Sequence, residues 1–184
     1  MMHRKDAIAG SILLLVVIAL NVGAASAAKR AGTGGCPAIA TADARASAAN
    51  AILCLVNRER TMRGLAAVRV SQQLSQSAIA HSKDMVEHRF FSHADSGGMS
   101  FRERVARSGY VRNGATYIAE TLAWGSYELA TPVELMRSLM RSPSHKRAIL
   151  EGRFRDIGVG LLDAVPFPAL ADRGATLTLQ FGRR

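Results

Sequence analysis

"ATYIAETLAWG", Ala115 to Gly125, is the stretch that decides the fold class. Its Tyr, Ile, Thr and Trp side chains are the β-branched and aromatic types that suit a pleated surface, so it reads as a strand. Glu120 lies in the middle of it. A carboxylate among Ile, Thr, Leu and Trp is costly unless it is paired or lines a cleft.

The residues before this strand read as three helices. Ala46 to Met62 carries Ala48, Ile52, Leu55 and Met62 on one stripe, and Gly64 stops it. "LAAVRV" is a short apolar link. Ser71 is placed to cap a second helix, in which Leu74, Ala78, His81 and Met85 recur at spacings of four, three and four. His81 therefore lies on the buried stripe and is expected to be a core histidine with a hydrogen bond. His88, near the end of this helix, has the carbonyl end of the dipole beside it and reads as a surface residue. "SFRE" is a capping box with Ser100 at the cap and Glu103 at the third position, and Gly109 ends the third helix.

Beyond the strand, "TPVE" reads as a second capping box with Pro132 at the first helical position, which gives Glu134 a structural task. That helix runs through "LMRSLMRS" until Pro143. Ser142-Pro143-Ser144-His145 then reads as a new helix start, with Ser142 as cap. "DIGVGLL" and "ATLTLQF" are the last two strands, separated by "DAVPFPALADRG". The order α-α-α-β-α-β-β predicts an α+β domain of layered helices and a small antiparallel sheet.

The N-terminus reads as an export signal. Arg4 and Lys5 precede an uncharged, largely apolar run from Ala7 to Gly23, and "ASA", Ala25-Ser26-Ala27, is a cleavage site. The alternative is an uncleaved anchor, since Ala7 to Ala28 reaches the roughly 20 residues that a span requires. "GTGG" before Cys36 is not a lipoprotein signal. Residues 1–27 are thus assigned to the signal, 28–46 to a small-residue, flexible leader, and 47–184 to one domain large enough for a core of its own. Cys36 and Cys54 are the only cysteines. In an exported chain an even count favours a disulfide, closing a loop of roughly 18 residues worth about 3 kcal/mol. Two free thiols, with Cys54 filling space on a helix face, are the alternative.

The formal charge is +10, and +9 once Arg4, Lys5 and Asp6 leave with the signal. Such a chain is drawn to anionic envelope polymers or lipid headgroups, and peripheral membrane contact is within its reach. The arginines are scattered and the aromatics number ten, which argues against nucleic acid as a partner.

Three polar residues stand apart from these structural tasks. His93 follows a helix end, Glu120 is mid-strand, and His145 lies in the first turn of a helix, where the dipole disfavours an imidazolium. A neutral imidazole accepts a hydrogen bond or binds a metal. Spacing alone does not bring the three together.

"LCLVNRERTMRGLAAVRVSQQLSQSAIAHSKDM", "FFSH", "AETLAWG", "RSPSHKRAIL", "DIGVGLL" and "TLTLQFG", taken in order, resemble the CAP superfamily of cysteine-rich secretory, antigen 5 and pathogenesis-related proteins, in its bacterial SCP-like branch. The resemblance runs from about Ala51 to Gly182 and implies a three-layer α-β-α sandwich. It also implies a central cleft lined by His93, Glu120 and His145, able to hold zinc or another divalent ion. Three departures stand out. The usual Gly-Glu-Asn is Ala119-Glu120-Thr121, the usual Trp is Leu139, and Ser142 stands about where a second cleft glutamate is expected. Two histidines and one glutamate would leave a coordination position for water.

The function so implied is a secreted, non-enzymatic binding module whose cleft, with Ser142 on its rim, takes a lipid, glycan or protein partner. The rival is a zinc-dependent hydrolase or protease in which Glu120 serves as base. No HExxH helix and no GxSxG elbow supports a zincin or a serine hydrolase, and no residue is assigned as catalytic.

Overall fold

The computed structural model describes residues 35–36, 44–111 and 117–184. Helices and strands follow one another as α1 (Ala44–Thr61), β1 (Arg69–Val70), α2 (Gln72–Glu87), α3 (Phe101–Arg107), β2 (Tyr117–Ser126), α4 (Pro132–Arg141), α5 (Pro143–Ile149), β3 (Asp156–Leu162) and β4 (Gly174–Arg183). All belong to one compact unit, Gly32–Arg184. The proposed signal, 1–27, and most of the leader lie outside the described residues. Among the described residues no helix is long and apolar enough to cross a membrane.

The sheet order is β1-β3-β4-β2, with β2 and β3 both antiparallel to β4. Along β4 the period-two rule separates Leu177, Leu179 and Phe181 from Thr176, Thr178 and Gln180. The apolar set joins Ile52, Leu55 and Val56 of α1 and Leu135 and Leu139 of α4 in the main core. The polar set faces α2, where the Ser82 hydroxyl meets Thr178 Oγ1 at 2.8 Å and donates to the Gly160 carbonyl at 2.9 Å. α3 packs on α2 through Val105, which clusters with Leu74 and Tyr110. The result is the expected α-β-α sandwich. It differs in one respect: "LAAVRV" is more than a link, because Arg69 and Val70 add a short parallel strand beside Asp156 and Ile157.

The glycines of β3 explain how closely α2 lies on the sheet. A β-carbon on Gly158 would stand 2.2 Å from the carbonyl carbon of Leu74, and one on Gly160 2.2 Å from that of Ala78. Backbone cannot yield as a side chain does. Gly160→Ala is therefore expected to lift α2 and to cost about 1–3 kcal/mol or more, as overpacking does. A thermal melt checks this, at roughly 2–4 °C per kcal/mol for a domain of this size; an unchanged melting temperature would show that α2 is free to move.

Cys36 and Cys54 form a disulfide, with Cα atoms 5.6 Å apart. Cys36 is buried against the α1 side of the core. The alternative of two free thiols falls away.

The local signals fared unevenly. Ser71 and Ser100 cap α2 and α3 with their side chains, and the Ser100–Glu103 box is complete. Gly64 and Gly109 end their helices at positive φ. Met62 lies past the end of α1 and is exposed, so the apolar stripe stops short of it. Thr131 caps α4, but Glu134 turns outward to Arg137 instead of closing the second box. Ser142 has the extended backbone of a cap, yet its hydroxyl makes no capping bond and lies 3.2 Å from Ser144 Oγ.

Candidate functional site

The site begins with the register of β2. Glu120 stands opposite Gln180, on the face that α2 covers. α2 must end before it would bury this point, and it ends through a left-handed residue, Arg89 (φ 57°), with the Phe90 N–H closing on the Met85 carbonyl at 3.1 Å. That is the longer bond of a Schellman-type terminus, here built without glycine. The segment that follows is tied down on both sides. Asp84 accepts from the Ser96 N–H and hydroxyl at 2.8 and 2.6 Å. His81 Nε2 lies 2.9 Å from the Ser92 carbonyl. A carbonyl only accepts, so His81 carries its proton on Nε2. His93 is the next residue.

His93 Nδ1 lies 2.9 Å from Glu120 Oε1. The carboxylate accepts, so Nδ1 holds the proton and Nε2 is left for solvent or a ligand. The His93 side chain is 59% exposed and that of Glu120 only 1%. A buried carboxylate beneath an exposed imidazole fixes the ring's orientation. Arg104, one turn into α3, completes the base of the site. Its Nη2 donates to Oε1 and Oε2 of Glu120 at 3.1 and 2.9 Å, and its Nη1 to the His93 and Met99 carbonyls at 2.8 and 3.1 Å. Gln180 Nε2 donates to Glu120 Oε2 at 2.9 Å.

These contacts set the charges. Burial pushes the Glu120 carboxyl up, but the His93 bond, the Arg104 charge and the Gln180 bond outweigh it and hold the group below its ordinary range. Burial lowers His81, and Arg104 adds to this against the pull of Glu120. Burial also lowers His145, and the neighbouring His93 lowers it further. Burial is the larger cause, and it favours the neutral ring of His145.

Both oxygens of Glu120 are engaged by nitrogen donors. Among the described residues no group of three or more His, Cys, Asp or Glu is placed to hold an ion. Ser142 is half-buried, and no hydroxyl or thiol among the described residues is hydrogen-bonded to His93 or His145. His81 is the buried core histidine expected of it, and His88 is exposed, paired with Asp84. Arg104 and Gln180 are the members that spacing does not reveal. The alternation of β4 does put Gln180 on the polar face, which is a usable signal for it.

The model of the CAP, or cysteine-rich secretory protein, family matches residues 53–164. The chain is 32% identical over 110 residues to the uncharacterized protein YkwD of Bacillus subtilis (strain 168), covering 60% of this chain and 40% of that protein. It therefore spans well under half the length of that curated relative. Among solved structures, it is similar to an extracellular protein containing a SCP domain from Bacillus anthracis, with a TM-score of 0.60, 25% identity and coverage of 72% of this chain and 39% of that one. An outer surface protein of Borrelia burgdorferi gives a TM-score of 0.60 at 20% identity, covering 72% of this chain and 90% of that one, and so shares the fold.

Proposed function

The chain belongs to the CAP family of cysteine-rich secretory proteins, and on that premise we propose that it is an extracytoplasmic binding module, its cleft offering His93 and His145 to a lipid, glycan or protein partner. The observation that carries this reading is the commitment of Glu120. A general base needs a free lone pair within reach of substrate. Glu120 spends its oxygens on Arg104, Gln180 and His93 and is buried beneath them. Its task is to orient the His93 ring, which leaves Nε2 outward as a hydrogen-bonding group. A nucleophile activated by either histidine is lacking among the described residues. Hydrolysis, with Glu120 as base, is therefore the less supported reading.

The location rests on the disulfide, which persists in oxidising compartments, and on the similarity to a protein described as extracellular. The basic charge favours an anionic partner of the envelope. The test is binding of the protein to anionic phospholipid vesicles and to soluble envelope glycan fragments. Saturable binding to one of them is expected. His93→Ala should weaken it at least about fivefold, roughly 1 kcal/mol, while His88→Ala on the surface should not. Binding to neither probe, or turnover of an ester or peptide substrate abolished by His93→Ala, would overturn the proposal.

A further inference from the structure

We infer that Arg104 is the resident cation of this cleft, occupying the charge and the lone pairs of Glu120 that a divalent ion would need. A carboxylate offers about four acceptor positions. Here four donor contacts fill them: His93 Nδ1 at 2.9 Å and Arg104 Nη2 at 3.1 Å on Oε1, and Arg104 Nη2 at 2.9 Å and Gln180 Nε2 at 2.9 Å on Oε2. The guanidinium is itself held by two carbonyls, and its side chain is 9% exposed against 1% for Glu120. It cannot give up its proton to make room for another positive charge. A dication at Glu120 would face a fixed unit charge across a hydrogen bond, in a setting that water barely screens.

What remains for an ion is the outer nitrogen of His93 and the ring of His145. Two donors fall short of the three protein ligands of an open zinc site. Without Arg104 the balance reverses. The buried charge of Glu120 would then be uncompensated and still hydrogen-bonded to His93, the carboxylate–histidine pair that supports a metal-bound imidazole. Arg104 thus decides between a closed ion pair and a metal site. The inference shares with the proposed function the bonds of Glu120 and the placing of His93 and His145 in one cleft. Vesicle and glycan binding test that proposal separately, so a failure of either is told from a failure of the other.

The experiment is calorimetric titration of zinc alone into the wild-type chain with its disulfide intact, and into Arg104→Gln shown folded by circular dichroism. The wild type should bind with a Kd weaker than about 100 μM, as a two-donor site lacks ligands for more. Arg104→Gln should bind at least tenfold tighter, and adding His93→Ala should erase the gain. A folded Arg104→Gln with no gain overturns the inference. The wild type also decides the matter if that variant does not fold: a Kd tighter than about 100 μM means that Arg104 does not exclude the ion.

Discussion

Replacing Glu120 by alanine is expected to lower stability by about 3–5 kcal/mol, the cost of leaving one partner of a buried ion pair alone. Arg104 would keep its charge in a position where its side chain is 9% exposed. Gln180 would lose its acceptor and His93 the bond that sets its ring. At roughly 2–4 °C per kcal/mol, the melting temperature should fall by about 6–20 °C. Glu120→Gln, which keeps the shape but not the charge, should recover little of it. The pH dependence offers a second readout. In the folded protein this carboxyl sits below its ordinary 4.5. Its contribution is therefore complete above that value and is lost as pH falls through the lower folded value, because the unfolded chain takes up the proton first. Glu120→Ala should lack this part of the acid destabilisation, so the two melting curves should converge as pH drops. A variant melting within about 2 °C of wild type at neutral pH would mean that the network contributes orientation but no stability.

What the sequence made legible was local. Ser71, Ser100, Gly64 and Gly109 act over three or four residues, and each marks a helix end in the structure. The four-three-four spacing placed His81 in the core because every position of that stripe is buried. Where a local signal failed, a neighbour offered a better bond: Glu134 took Arg137 instead of the cap, and Ser142 turned to Ser144. β1 was missed because two residues carry no periodicity. They pair only because β3, far along the chain, comes to lie beside them.

The cleft shows the same limit at a larger scale. Glu120 was legible as a carboxylate that must be paired, but nothing near it in sequence names the partners. Arg104 lies 16 residues before it and Gln180 60 residues after it. The expectation that Glu120 would ligate an ion came from resemblance, and it assumed a free carboxylate. An arginine on a short neighbouring helix changes that assumption without changing any motif residue.

Arg60 carries the same lesson into the core and yields the second large effect. It stands four residues after Val56 and eight after Ile52, so it extends the apolar stripe of α1. A charged residue at the end of a helix nevertheless reads as a surface group. In the structure it is 0% exposed. Its Nε donates to the Ala66 carbonyl at 3.0 Å, Nη1 to Ile149 and Glu151 at 2.7 and 3.0 Å, and Nη2 to Phe154 at 3.2 Å. One planar fork thus fastens the turn after α1 to the end of α5 and the approach to β3. Its direct partners are carbonyls and not a carboxylate, and burial lowers its pKa, followed by repulsion from Arg155. Arg60→Met would keep much of the volume but leave four carbonyls without this donor. Each buried acceptor so stranded costs about 1–3 kcal/mol, moderated where solvent or relaxation reaches it, so a total of about 3–5 kcal/mol is expected. Arg60→Lys should recover only part, because an ammonium is a point charge that cannot reproduce the fork. Urea melts of the two variants measure this, with Arg60→Lys between wild type and Arg60→Met. If Arg60→Met proves as stable as wild type, the apolar side chain has replaced the network at no cost, and the buried guanidinium is dispensable to the fold.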